Sequence, residues 1–263
     1  MKSISLSTLK TMKSSREKFA VLTAYDAAFA RLSEMAGIEV VLVGDSLGNV
    51  SLGYSSTVPV TMEDMLHHTR AVSRSNSKSL IVADMPYMSY ANEEQALTNA
   101  ARLMQTGAQM VKLEGGAWLE TTVCKLTERG VPVCGHLGLT PQSVDKLGGY
   151  KVQGKGAEDA AKIVRDAECL QDAGADLLVL ECVPSSLGAE ISARLNIPVI
   201  GIGAGPDTDA QVLVIYDILG ISPRSPKFAK NFLAETGSIL GAMENYAKAV
   251  RQGSFPAEEH GFS

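Results

Sequence analysis

Five short apolar runs in this chain are each followed directly by a polar or ionisable residue. They are VVLVG before Asp45 and Ser46, LIVA before Asp84, MVKL before Glu114, VPVCG before His136 and LLVL before Glu181. Short runs of Val, Leu and Ile are typical of strands that are buried on both faces, in a parallel sheet covered by helices. The pattern therefore predicts parallel strands whose carboxyl ends carry the polar chemistry of the chain.

Apolar runs alternate with stretches of helical spacing along almost the whole chain. The predicted strands cover 19–24, 40–44, 80–84, 110–114, 131–136, 176–181, 198–205 and 212–217. The predicted helices cover 26–36, 61–73, 92–106, 117–129, 157–173 and 186–195, followed by a helical tail over 227–252. Eight strands with intervening helices predict a (β/α)₈ TIM barrel, with a doubly wound α/β sheet as the alternative. We expect one domain over 1–263, with an N-terminal extension before the barrel.

Two connections are longer than the others. One covers 45–59 and is rich in Ser, Gly and Thr, and the other covers 139–156 and is rich in Gly and polar residues. A long loop over the mouth of a barrel is a candidate lid, since binding and catalytic residues concentrate on such loops.

Composition and charge exclude several classes of function. The chain is 45% hydrophobic with a net charge of −5, and its Lys and Arg residues are scattered. Nucleic-acid binding usually needs a basic stripe, so we expect no nucleic-acid partner. No apolar stretch reaches the roughly 20 residues of a membrane span, and the N-terminus lacks the apolar segment of a secretory signal. The four cysteines form no C-x-x-C pair, and we expect a cytoplasmic protein with free thiols.

The two aspartates at the strand ends are candidate metal ligands. In a barrel the carboxyl ends of all strands meet at one mouth, where active sites lie. Asp45 and Asp84 would supply hard carboxylate oxygens for Mg²⁺, which typically takes one or two protein carboxylates and leaves positions for water and substrate. Glu114 would be a third acid near the metal. Alternatively, each aspartate only caps the helix that follows its strand.

Lys112 lies two residues before Glu114 on one predicted strand, so both side chains point to the same face. An unpaired lysine inside a barrel is costly, and Lys112 therefore needs an anionic partner. That partner is either Glu114 or a substrate carboxylate. A further alternative is a Schiff-base nucleophile, a role that a strand-borne lysine can also have.

The remaining candidates are a base and several weaker signals. Glu181 ends a strongly apolar run and is a candidate general base, unless it caps the next helix. His136 could hydrogen-bond a substrate oxygen or transfer a proton, or it could be structural. Cys182 follows Glu181, but strand alternation predicts that it points to the opposite face. The GIGAG segment over 201–205 fails the dinucleotide fingerprint, and its glycines keep the mouth open, make a tight turn or bind phosphate.

Long motifs in a fixed order resemble one known family. They are VGDSLG, STVPVTMEDM, ADMPYMSY, MVKLEGG, PVCGHLGLTPQSV, GGYKVQGK, LLVLECVP, IPVIGIGAG and PKFAKNF, from about Tyr25 to EEHGF near the C-terminus. The chain thereby resembles ketopantoate hydroxymethyltransferase, also called 3-methyl-2-oxobutanoate hydroxymethyltransferase. The resemblance implies transfer of a one-carbon unit from 5,10-methylenetetrahydrofolate to 3-methyl-2-oxobutanoate, which gives 2-dehydropantoate for pantothenate synthesis.

The resemblance also implies roles for individual residues. Asp45 and Asp84 would bind one Mg²⁺ per subunit, and Glu114 is assigned to the same metal site. Ser46 and Lys112 would bind the 2-oxo acid and Glu181 would accept the proton, with His136 as a supporting contact. The family is similar to the phosphoenolpyruvate mutase and isocitrate lyase barrels, and a homodecamer is implied. The chain departs from the family pattern at Ser55, at HGF near the C-terminus and in ISPRSPKF, which is about one residue short.

Two other functions compete with this interpretation. The first is a lyase or mutase on the same barrel, but such relatives often carry a cysteine on a mobile loop, and 139–156 contains none. The second is a non-catalytic ligand-binding barrel. Such a barrel has no need for two acids, a base and a buried lysine at one mouth.

Overall fold

Eight parallel strands form a closed barrel in which each strand pairs with the next and the eighth pairs with the first. The structure is a computed structural model, and it describes residues 3–222 and 225–263. The strands are β1 Phe19–Thr23, β2 Val40–Val43, β3 Leu80–Asp84, β4 Met110–Glu114, β5 Val133–Gly138, β6 Leu177–Glu181, β7 Val199–Ile202 and β8 Ala210–Leu213. The predicted (β/α)₈ barrel is therefore confirmed.

Helices surround the barrel and fill several of its connections. The α-helices are α1 Leu6–Ser14, α2 Ala27–Met35, α3 Leu47–Val50, α4 Met62–Ser73, α5 Glu93–Thr106, α6 Glu120–Thr127, α7 Val144–Leu147, α8 Ala157–Asp172, α9 Ser185–Arg194, α10 Ile215–Ile218, α11 Leu233–Thr236 and α12 Ile239–Arg251. Short 3₁₀ helices cover Ala117–Leu119, Pro141–Ser143 and Glu258–His260. None of the helices in the described ranges is both long and apolar enough to cross a membrane.

Several sequence-based predictions need correction. Relative to the predicted bounds, β5 is shifted by two residues and β7 is shorter. The eighth strand was predicted over 212–217, but β8 is Ala210–Leu213 and the apolar run continues into α10. Ile215 and Ile218 of α10 are fully buried, so the run stays apolar across the change from strand to helix. The predicted tail over 227–252 begins its helical part only at α11, and Gly237, with φ of 68°, separates α11 from α12. The predicted loop over 139–156 contains a 3₁₀ turn and α7.

The N-terminal extension forms α1, which the sequence did not predict. Ser5 begins this helix with a capping box, in which its hydroxyl accepts from the Thr8 backbone N–H. Leu9 is fully buried and belongs to the hydrophobic cluster that fills the barrel interior with Phe19, Val40 and Met110. A second, larger cluster lies between the strands and the outer helices. The extension is therefore part of the barrel core.

We expect Leu9→Ala to lower the free energy of unfolding by about 2–5 kcal/mol, because it leaves a cavity among fully buried side chains. Chemical denaturation measures the change. A matched control on the same helix is Lys10→Met, which removes a half-exposed ion pair to Asp176 and should cost no more than about 1 kcal/mol. Equal effects of both variants would contradict the packing role of α1.

A candidate active site at the barrel mouth

The register between neighbouring strands brings the predicted site residues side by side. Asp84 on β3 is paired with Lys112 on β4, and Glu114 on β4 is paired with His136 on β5. Glu181 ends β6, opposite Gly138 of β5. Because the strands are parallel and closed into a barrel, these positions form one layer near the carboxyl ends of the strands.

Two aspartates and one lysine form the centre of this layer. The Asp45 backbone N–H donates to Asp84 Oδ2 at 3.0 Å, so the residues after β2 are tied to the end of β3. Lys112 Nζ lies 3.2 Å from Asp84 Oδ1 and 3.6 Å from Glu114 Oε1. Asp84 Oδ1 nevertheless has no well-aligned hydrogen bond from the part of the chain that the structure describes. The Lys112–Glu114 pair, one of the two alternatives for the anionic partner of Lys112, is present, with Asp84 as a closer partner.

Burial and crowding of the three carboxylates shift their pKa values. Burial raises the pKa of Asp45 well above its usual range, and the nearby Asp84 and Glu114 carboxylates add to the rise. Burial also raises the pKa of Asp84, although the Lys112 ammonium opposes that effect. Burial alone would raise the pKa of Glu114, but Lys112 and His136 bring it below its usual value. Three carboxyl groups face one ammonium here, so a further cation would be needed to keep all three ionised.

Lys112 itself is held as an ammonium ion. Burial alone would lower its pKa, but Asp84, Glu114 and Asp45 together raise it. An amine nucleophile must lose its proton before it attacks a carbonyl. The surroundings therefore disfavour the Schiff-base role and favour an ion-pairing role for Lys112.

His136 links the acidic cluster to Glu181. Its Nδ1 lies 3.3 Å from Glu114 Oε1 and its Nε2 lies 3.3 Å from Glu181 Oε2. Burial and Lys112 lower the pKa of His136, but the Glu114 and Glu181 carboxylates outweigh them and raise it. The Glu181 side chain keeps 13% of its surface exposed, towards the cavity that it lines. Glu181 is thus the acid of this layer that a ligand in the cavity can reach most easily.

Ser46 lies beside the aspartates and is oriented by a buried tyrosine. Tyr25 OH and Ser46 Oγ are 2.9 Å apart, and Tyr25 packs edge-on against Tyr216. Burial raises the pKa of Tyr25, so this phenol stays protonated at neutral pH. The contact fixes the hydroxyl of Ser46 at the rim of the acidic cluster.

A cavity of about 890 Å³ opens at this end of the barrel. Every site residue predicted from the sequence lines it, namely Asp45, Ser46, Asp84, Lys112, Glu114, His136 and Glu181. Phe228 and Phe262 line another part of its wall, and Tyr150 and Lys151 of the predicted lid also reach it. The cavity is large enough for a small acid together with part of a second, larger substrate.

Sequence reasoning missed several residues of the site. Gln142, Tyr25 and Tyr90 are buried among the site residues. Phe262 comes from the end of the described chain and packs near Gly203. The available signals were the position of Tyr25 directly after the predicted strand 19–24 and the places of Tyr90 in ADMPYMSY and of Gln142 in GHLGLTPQSV.

The structure also decides between several alternatives. The N-cap residues of α3, α5 and α9 are Ser46, Asn92 and Pro184, so Asp45, Asp84 and Glu181 are not helix caps. Cys182 was predicted to point away from the site, but its φ of 48° breaks the strand alternation and it lines the cavity. Burial raises the pKa of the Cys182 thiol, which disfavours a nucleophilic role.

The GIGAG segment makes a tight turn. Gly203 has φ of 62°, and a Cβ there would lie 2.9 Å from both Phe228 and Phe262. Gly205 has φ of 82° and is equally crowded by Ser185. The glycines are therefore required for close packing at the end of β7.

The closed parallel barrel, with acids and a buried lysine at its carboxyl-terminal mouth, defines the class of protein as a TIM-barrel enzyme. A family model described as ketopantoate hydroxymethyltransferase matches residues 3–258. The chain belongs to the ketopantoate hydroxymethyltransferase family, and it is a transferase.

Relatives match along essentially the full length of the chain. A 3-methyl-2-oxobutanoate hydroxymethyltransferase from Saccharophagus degradans is 57% identical over 261 residues, which cover 99% of this chain and 97% of the relative. The enzyme of the same name from Shewanella loihica is 58% identical over 264 residues and both chains are fully covered. The motifs quoted above are therefore parts of a similarity that extends along the full length of the chain.

Solved structures of low sequence identity share the fold. A phosphonopyruvate hydrolase complex with oxalate and Mg²⁺ has a TM-score of 0.64 at 14% identity, covering 97% of this chain and 92% of that one. A 2,3-dimethylmalate lyase of the phosphoenolpyruvate mutase/isocitrate lyase superfamily has a TM-score of 0.59 at 16% identity, covering 89% and 88%. The expected phosphoenolpyruvate mutase/isocitrate lyase-like barrel is confirmed.

Proposed function

We propose that this chain transfers a hydroxymethyl group from 5,10-methylenetetrahydrofolate to 3-methyl-2-oxobutanoate, forming 2-dehydropantoate and tetrahydrofolate. The family match and the names of the relatives support the reaction. The observation that carries the proposal is the layer in which Asp45, Asp84 and Lys112 lie beside Glu181 at one end of a cavity. A 2-oxo acid needs these groups together, because it brings a carboxylate, a ketone and an acidic C–H bond into one site.

The acidic cluster fits one Mg²⁺ ion held by Asp45 and Asp84. Asp84 Oδ1 is a buried oxygen without a well-aligned donor among the described residues, and a divalent cation would offset the mutual repulsion of the crowded carboxylates. No three His, Cys, Asp or Glu side chains in the described ranges are grouped as a ready-made metal site, but Mg²⁺ usually takes only one or two protein carboxylates. Glu114 already contacts Lys112, His136 and the Gln142 backbone, so we assign it a supporting place at the metal site. The bound ion would supply Lewis-acid polarisation of the ketone.

Lys112 and Ser46 bind the 2-oxo acid in this proposal. Lys112 remains an ammonium ion, and its Nζ lies in the layer of the carboxylates. A substrate carboxylate can therefore form an ion pair with Lys112, and the ammonium and the bound cation together would offset the charge that it adds to the barrel. The Ser46 hydroxyl, held by Tyr25, donates a hydrogen bond, and His136 is close enough to support the same ligand.

Glu181 removes the proton from the carbon beside the ketone. Its carboxylate lines the cavity and contacts His136 Nε2, so a proton taken by Glu181 stays close to an imidazole. One C–N bond of the methylene bridge opens to an iminium, water adds to that carbon, and the second C–N bond breaks, so that tetrahydrofolate leaves and the one-carbon unit is at the level of formaldehyde. The substrate carbanion adds to this carbon, and its oxygen takes up a proton to become the hydroxyl group. The segment 139–156 contributes Tyr150, Lys151 and Val152 to the cavity, and we propose that it limits the access of water as a lid.

We also propose a homodecamer in the cytoplasm. Exposed large apolar side chains, such as Trp118 at 65% and Met35 at 60% exposure, are candidates for subunit contacts. All four cysteines are free, as is usual in a reducing compartment. Light scattering of the purified protein measures the subunit number directly.

Proton exchange tests the first half of this reaction without the folate. We expect wild-type protein with Mg²⁺ to exchange the proton at C3 of 3-methyl-2-oxobutanoate for deuterium in D₂O, because Glu181 faces a polarised ketone. Proton NMR follows the loss of the signal, and protein treated with a chelator serves as the control. Folded, metal-loaded protein that leaves the signal unchanged would contradict the assigned base and substrate.

A further inference from the structure

Gln142 is buried at the centre of the site with its whole amide engaged. It lies in the 3₁₀ turn after β5 and is only 6% exposed. Its Nε2 donates to Asp45 Oδ2 at 2.8 Å and to the Met85 carbonyl oxygen at 2.9 Å. Its Oε1 accepts from Tyr90 OH at 2.5 Å, and its backbone N–H donates to Glu114 Oε2 at 3.0 Å.

This set of contacts requires an amide. A glutamine has two N–H donors and a carbonyl acceptor, and each of them has a partner here. A carboxylate at this position would turn an oxygen towards Asp45 Oδ2 and towards a backbone carbonyl, with no proton for either contact. An apolar side chain of the same shape would fill the space but would leave the Asp45 oxygen and the Met85 carbonyl without a donor.

The partners of Gln142 hold its amide in one orientation. Tyr90 is buried, and its hydroxyl also contacts the Glu114 backbone. The Trp118 ring stacks on Tyr90 with the ring planes 13° apart. The amide therefore cannot turn over without losing the Tyr90 hydroxyl as its donor.

The effect of the amide falls on Asp45. Its Oδ2 is turned towards Gln142, whereas its Oδ1 takes no hydrogen bond from the residues 3–222 and 225–263. A carboxylate with one oxygen held by a donor and the other free has a defined direction for a further ligand. A hydrogen bond to a metal ligand orients that ligand, and its removal typically lowers metal affinity or activity by about 10- to 100-fold.

We propose that Gln142 is a positioning residue that orients the Asp45 carboxylate for binding the divalent cation. The inference rests on the proposed function, since it assigns Asp45 to the metal. The inference adds that the start of the predicted lid connects the ends of β2 and β3 through the Gln142 side-chain amide and the end of β4 through the Gln142 backbone N–H. The first part of that segment is thus a fixed part of the metal site.

The test replaces Gln142 by methionine, which keeps the length of the side chain and removes its donors and acceptor. Binding of Mn²⁺, followed by the electron paramagnetic resonance signal of the free ion, gives an affinity that does not depend on turnover. We expect Q142M to raise the Kd for Mn²⁺ by about 10- to 100-fold. We also expect excess metal to restore much of kcat, which a structural defect alone would not allow. Thermal unfolding verifies that the variant is folded.

Gln153→Met is the matched control. It makes the same chemical change in the same segment, where the Gln153 amide donates to the Lys151 carbonyl oxygen and has no other side-chain partner within 3–222 and 225–263. We expect Q153M to bind Mn²⁺ as the wild type does. Folded Q142M with a wild-type Kd would overturn the inference and leave the proposed function intact.

Tyr90→Phe decides the question if Q142M does not fold. It removes the hydroxyl that holds Gln142 Oε1 and leaves the Nε2 contacts in place, so we expect a severalfold rise in the Kd for Mn²⁺. An unchanged Kd in folded Y90F would then count against the inference. Wild-type protein that binds no Mn²⁺ and transfers no hydroxymethyl group would remove the proposed function, and the inference with it.

Discussion

We expect Glu181→Gln to lower kcat by about 10²- to 10⁴-fold, the usual contribution of a general base. The substitution keeps the size of the side chain and its contact with His136, so the 2-oxo acid should still bind. What is lost is the carboxylate that takes the proton beside the ketone. Steady-state kinetics measures kcat, and deuterium exchange at C3 of the substrate should fall in parallel, since it reports the same proton transfer.

Glu190→Gln is the control for this variant. It removes a half-exposed carboxylate on α9, the helix after β6, where Glu190 pairs with Arg194. We expect kcat to stay at the wild-type value, because exposed ion pairs contribute little and this one lies outside the cavity lining. If E181Q keeps wild-type exchange and turnover, the base is another group, and His136 becomes the first candidate.

We expect Asp84→Asn to lower the affinity for Mg²⁺ or Mn²⁺ by about 100-fold or more. Asp84 is a proposed metal ligand, and even the loss of a hydrogen bond to such a ligand can lower metal affinity by about 100-fold. Asp84 supplies a buried oxygen without a well-aligned donor among the described residues. Asparagine can still accept the Asp45 backbone N–H, so the variant removes charge with little change of shape. It also removes the nearest carboxylate from Lys112. Turnover should therefore fall with metal affinity, as it should in chelator-treated wild type.

Asp145→Asn provides the comparison for the metal measurement. Asp145 is an exposed carboxylate on α7, in the same mouth segment as Gln142. The metal affinity of D145N should equal that of the wild type. An Asp84→Asn variant that binds Mn²⁺ normally would show that the cation is held elsewhere in the barrel.

The sequence predicted the barrel because its strands are buried on both faces. An apolar run such as MVKL is followed by a polar residue, and this boundary indicates the carboxyl end of a buried strand. In a parallel barrel these ends all lie at one mouth. The prediction failed where an apolar run does not end with the strand. Val212 to Asp217 reads as one run, yet β8 ends at Leu213 and the buried Ile215 and Ile218 belong to α10.

Every predicted site residue lies within three residues of the carboxyl end of a strand. Asp84, Glu114 and Glu181 end β3, β4 and β6, and the parallel register alone brings them together. Gln142 could not be assigned in this way, because its position depends on how the chain turns after β5. A short apolar or polar pattern does not specify such a turn, so the amide contact with Asp45 was visible only in the structure.

Proton NMR of 3-methyl-2-oxobutanoate, 5,10-methylenetetrahydrofolate and Mg²⁺ with the purified wild-type protein tests the central claim most directly. We expect the signal at C3 to disappear and the signals of 2-dehydropantoate to appear, with neither change after treatment with a chelator. Loss of the C3 proton without product would keep the enolising site but assign another electrophile to the reaction. Folded, metal-loaded protein that changes neither signal would contradict the proposed function.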